Sequence, residues 1–182
     1  MSMEELINNP LFLLIIFLVM ILAVLTDLYN RKIPNVLIIF GLTSGLFVQI
    51  FYLQGTGLKV WAIGAVLGFC CFFPLYYFRG MAAGDVKLMM VVGGFLGFPL
   101  VITAALYSFV AGGLMALVIV LVKGKFKKLM NNLYEILIPL YIKLTSGVDI
   151  NDATIKPESI GRMPYALAIA AGTLSTLYLN AY

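Results

Sequence analysis

The stretch 79-RGMAAGDVKLMMVVGGFLG-97 decides how the rest of the chain is read. The run from Val86 to Phe98, one residue past its end, is apolar except for Lys87, but these residues reach only about 20 Å as a helix. A bilayer core is about 30 Å thick. A full crossing must therefore start near Met81 and carry Asp85 and Lys87 into the membrane. The alternative is a short helix in a thinned or protein-lined place. Either way, Asp85 lies at or below the membrane interface.

Working outward, the 182 residues are 63% hydrophobic and 11% charged, against about 25% charged in soluble domains. A chain of this size cannot hide so much apolar surface in its own core, so it reads as an integral membrane protein. Besides 81–98, the segments 11–28, 36–53, 60–78, 100–122 and 164–182 are long and apolar enough to span. The expected fold is all-α: a single polytopic domain, 1–182, with six transmembrane helices. Glycines spaced i, i+4 occur at Gly41/Gly45, Gly64/Gly68, Gly80/Gly84 and Gly93/Gly97, a spacing that suits close helix packing. The N-terminus is acidic, and no small-residue cleavage site follows the first apolar run, so that run is expected to be retained.

The positive charge is asymmetric. With the N-terminus outside, eleven of the twelve basic residues fall on the inner side, and only Lys59 falls outside. That orients the bundle by the positive-inside rule. The net charge of +4 is thus a topology signal and requires no nucleic acid. The long connection, 123–163, is expected on the cytoplasmic side. Phe126, Leu129, Met130, Leu133, Ile136, Leu137, Leu140 and Leu144 have the helical spacing of a segment lying in the interface, with a kink at Pro139. A polar loop follows. Histidine is absent, and the only cysteines, Cys70 and Cys71, are adjacent. Such a set does not suggest a metal site, and no cofactor is expected.

Six of the eight acidic residues lie at the outer terminus or in the long connection. Asp27 and Asp85 remain at membrane-embedded positions, where ionisable groups are functional candidates. The topology sets Asp27 at the cytoplasmic end of the first helix and Asp85 at the cytoplasmic start of the fourth. The two share one depth although far apart in sequence. Converging carboxyl groups can share a proton, so that one activates water while the other polarises a carbonyl. A helix N-terminus favours negative charge and a C-terminus disfavours it, so Asp85 is expected as the base and Asp27 as the proton holder. The structural readings of the same residues are an N-cap role for Asp85 and an Asp27–Arg31 pair one turn apart. Lys87 reads as a positive-inside anchor.

At these residues the chain resembles the type IV prepilin peptidases and archaeal preflagellin peptidases, intramembrane aspartic proteases of the GxGD type. "DLYNRKIPN" resembles the family's first-aspartate segment, "AAGDVKLMMVVGGFLG" its GxGD-x-Lys-Leu segment, and "GRMPYALAIAAG" the Pro-Tyr start of its last helix. The three occur in the family's order. The resemblance implies that Asp27 and Asp85 are the catalytic pair, with Gly84, Lys87 and Ala82 as supporting motif positions. It also implies a prepilin, pseudopilin or preflagellin-like substrate, cut at the cytoplasmic face of the cell membrane. Ala82 stands where the motif has its first glycine. The cysteine-rich insertion of the larger, methylating members is missing from the short link after the first helix. The resemblance therefore implies a short-form peptidase, of the kind serving Flp/Tad-type or archaeal filaments, without methyltransferase activity. A small proton- or cation-coupled carrier using the same two aspartates is the alternative, although no internal repeat of the carrier kind is evident. A non-catalytic secretion subunit is a third.

Overall fold

The computed structural model describes residues 3–78, 80–122, 124 and 163–180. The expected interfacial helix, the Pro139 kink and the polar loop after it lie outside the described residues. Two compact units are delimited: Met1–Gly113 with Pro164–Tyr182, and Leu114–Met163. Everything below concerns the first unit unless stated.

Among the described residues every regular element is helical: α1 (Met3–Ile7), α2 (Pro10–Asn30), α3 (Asn35–Leu53), α4 (Gly57–Tyr77), α5 (Ala83–Leu96), α6 (Leu100–Val122) and α7 (Tyr165–Asn180). The last turns of α6 belong to the second unit. The short α1 was not anticipated; its Leu6 and Ile7 are buried. Asn9 caps α2 by accepting the Leu11 N–H at 3.0 Å, with Pro10 in the first turn, the residue pair that helix starts favour. α2 ends in a left-handed cap, Arg31 at φ 51°, whose N–H donates to the Asp27 carbonyl at 2.9 Å. Pro34 then stands at the N-cap of α3.

Three stretches are long and apolar enough to cross a membrane: Pro10–Asn30, Asn35–Tyr77 and Leu100–Val122. The second holds both α3 and α4, which turn back on each other through the 3-10 turn Gln54–Thr56. Large apolar side chains stand exposed along these helices, among them Leu14, Phe47, Phe51 and Val110. Such an outer surface matches lipid and not water.

α5 is different. It has 14 residues, about 21 Å of helix, and most of its side chains are buried. The short segment is therefore enclosed by protein and is shorter at both ends than the expected 81–98. Small residues make the enclosure possible. On α3, Gly41 faces Val91 and Gly45 faces the Phe95 ring. On α4, Gly64 meets the main chain of Gly93 and Gly97, and Gly68 meets that of Met89. These contacts run α3 parallel to α5, and α4 antiparallel to both. A helix ending inside an apolar layer must have its last carbonyls satisfied. The fully buried Gln49 of α3 does this, donating Nε2 to the Phe95 carbonyl at 2.6 Å and to that of Gly94 at 3.3 Å.

Candidate active site

Asp27 lies in the last turn of α2 and Asp85 in the first turn of α5. Both are buried, at 7% and 6% exposure. That is deep for carboxylates, which are rarely buried without partners. Each has one main-chain donor. Asp27 Oδ2 accepts the Ala166 N–H of α7 at 3.2 Å. Asp85 Oδ2 accepts the Ala82 N–H at 3.3 Å.

The two residues converge. α2, α5 and α7 pack against one another, and Asp85 lies within the field of the Asp27 charge. Tyr165, the first residue of α7, lies within the field of Asp85 in turn. The opening turn of α7 thus touches one carboxylate through Ala166 and faces the other through Tyr165.

The local roles of the carboxylates differ from the two structural readings. Asp85 is not the N-cap of α5. That position belongs to Ala82, and Asp85 stands three residues on and reaches back to the N-cap N–H. This is half of a capping box. The other half is main chain, Asp85 N–H to the Ala82 carbonyl at 3.1 Å, because alanine has no side-chain acceptor. Between Asp27 and Arg31 the link runs through the backbone cap, and the Asp27 side chain turns to α7 instead. Asp27 ends one helix and also meets the N-terminus of another, so each carboxylate has a helix start and one N–H.

The supporting positions gather around Asp85. Gly84 packs against Ile33, with space for a Cβ only at 3.4 Å from that side chain. Lys87 Nζ donates to Asn35 Oδ1 at 2.9 Å. Ala82 adopts φ −81° and ψ 150°, an ordinary extended geometry. The "IPN" segment therefore lies against the "AAGDVK" segment at two points. Asn35, Tyr165 and Ala166 belong to the site's framework. The sequence marked them only as parts of "DLYNRKIPN" and "GRMPYALAIAAG", because nothing local to them signals a contact with a distant helix.

Among the described residues no group of three metal-ligating side chains could hold an ion. The arrangement is two buried carboxylates from different helices of an apolar helical protein. Such a pair can hold one proton between them and exchange it with a bound water.

Fold and site together define a membrane-embedded helical protein with paired carboxylates. The chain belongs to the type IV leader peptidase family, whose model matches residues 14–117, more than half of the chain. The matched span contains both Asp27 and Asp85. No curated protein and no solved structure matches the chain. Family membership makes the protein a peptidase, and so a hydrolase.

Proposed function

We propose that Asp27 and Asp85 are the catalytic pair of an intramembrane aspartic endopeptidase that removes the leader from type IV prepilin-like precursors. The convergence of two buried carboxylates at the first turn of α7 carries the proposal. One ionised carboxylate takes a proton from water, and the water oxygen bonds to the scissile carbonyl carbon. The other carboxyl group gives its proton to the carbonyl oxygen. A tetrahedral diol results. Collapse of the diol returns the C=O bond, a proton passes to the departing nitrogen, and the C–N bond breaks. The pair acts as a unit, and each aspartate can play either part.

The chain works as one peptidase domain in the cytoplasmic membrane. It crosses six times, α3 and α4 counting separately, with α5 and α7 completing the bundle. The N-terminus is outside and the site is at the cytoplasmic face, as the eleven-to-one distribution of basic residues supports. That position suits a cut just ahead of a substrate's hydrophobic stretch. The link between α2 and α3 is residues 31–34, and both cysteines lie in α4. This supports a short-form peptidase without methyltransferase activity, of the type serving Flp/Tad or archaeal filaments.

Co-expression with prepilin-like precursors tests the assignment. Asp27→Asn and Asp85→Asn are each expected to lower leader removal by about a thousandfold or more, with unchanged amounts of membrane protein. Normal processing by both variants would defeat the proposal. If no precursor is cut and ion flux needs both aspartates, the carrier reading takes its place.

A further inference from the structure

The opening turn of α7 is held from outside α7. The Tyr165 ring stands edge-on to Phe72 of α4, with centroids 6.1 Å apart at 74°. Phe72 in turn stacks on Phe109 of α6 at 4.7 Å and 18°. The Tyr165 hydroxyl donates towards the Ser108 carbonyl at 3.5 Å, the outer limit of a hydrogen bond. Gly112, one turn beyond Ser108, forms the floor of the slot. A Cβ there would come within 2.5 to 2.6 Å of Oη, Cζ and Cε2 of the tyrosine, a distance at which something must move. The ring therefore sits where it does because Gly112 has no side chain.

The consequence reaches the carboxylates through one peptide unit. Residues 165 and 166 share a rigid helical turn, so the seat of the Tyr165 ring fixes the rotation of that turn about its axis. That rotation directs the Ala166 N–H at Asp27 Oδ2. Among the described residues no other hydrogen-bond donor reaches the Asp27 carboxylate to compete with it.

On the reading that Asp27 and Asp85 react together, we propose that Tyr165 is a positioning residue for the reaction and Gly112 is its seat. The ring, rather than the hydroxyl, carries the effect, since the hydroxyl bond is long while the ring sits edge-on to Phe72 and tight over Gly112. Tyr165 aligns Asp27 with Asp85 by placing the backbone donor that holds Asp27.

The test uses the full chain, purified in detergent, with a prepilin-like precursor. Tyr165→Ala is expected to lower kcat about a hundredfold, the scale of a misplacement near 1 Å, with KM changed by less than about threefold. Tyr165→Phe keeps the ring and is expected to stay within about twofold of wild type. Gly112→Val pushes the ring from its slot and is expected to resemble Tyr165→Ala. The double variant is expected to be no worse than either single one, because both remove the same contact. Additive losses, or a wild-type kcat for Tyr165→Ala, overturn the proposal.

A second readout does not depend on cleavage. The infrared carboxyl band that disappears in Asp27→Asn is expected to shift in Tyr165→Ala and Gly112→Val, and to stay in place in Tyr165→Phe. An unshifted band overturns the positioning role whatever the activity. If instead Asp27→Asn and Asp85→Asn cleave normally while the band shifts as expected, the catalytic reading of the pair fails and the placement of Asp27 by Tyr165 stands.

Discussion

Ala82 stands at the N-cap of α5 with φ −81° and ψ 150°, a region open to any residue. Its side chain is exposed. A glycine at this motif position could serve a positive φ or a close approach of another chain. The backbone here asks for neither, so alanine is accepted without strain. Ala82→Gly is expected to change stability by no more than about 0.5 kcal/mol and the cleavage rate by no more than about twofold. Thermal unfolding in detergent and a precursor-cleavage time course check both. A tenfold faster enzyme would mean that the first glycine of the motif serves a movement during turnover. Asp85 itself was legible in the sequence as a costly charge in an apolar run. Its reach back to the Ala82 N–H was not, because an aspartate at a helix start caps equally well from the N-cap or from three residues on.

The helix α5 owes its place to glycines on its neighbours. A Cβ on Gly64 would collide with the Gly93 carbonyl and lie 2.8 Å from the Gly97 Cα. These are backbone atoms that cannot turn aside as a side chain does. Gly64→Ala is therefore expected to destabilise by about 3 kcal/mol, the upper part of the range for overpacking. Gly113→Ala is the control, since nothing lies within 4 Å of a Cβ there, and no loss is expected. Denaturation of the two variants in the same detergent compares them directly. The i, i+4 glycine spacing had pointed to packing at four places, and three of them meet another helix at close range. Gly80/Gly84 does not, because Gly80 precedes α5 and Gly84 faces Ile33 in the link before α3. Spacing alone does not show whether both glycines fall inside one helix. Nor does it name the partner: the length of α5 was readable, but its enclosure between α3 and α4 depends on which glycines face it.

At the scale of the molecule, composition was enough to place the chain in a membrane, and charge asymmetry was enough to suggest that Asp27 and Asp85 share a depth. The contacts that bring the site together were not readable. Ala166 is 139 residues from Asp27, and Lys87 is 52 from Asn35. No local pattern encodes pairings at such separations. The proposed orientation, with the site on the cytoplasmic side, is open to measurement, and two exposed positions suit it. Gly55 lies in the turn between α3 and α4, with space around it for a side chain. Lys32 lies in the link between α2 and α3, a few residues from Asp27. In a background with Cys70 and Cys71 changed to serine, Gly55→Cys is expected to react with a membrane-impermeant maleimide on intact cells. Lys32→Cys is expected to react only after the membrane is opened. The charge rule favours this outcome because ten inner basic residues remain against one outer residue even after Lys32 is removed. The opposite labelling pattern would put Asp27 and Asp85 at the outer face. Leader removal would then have to occur after the substrate's N-terminus had crossed the membrane, and a cytoplasmic cut would be ruled out.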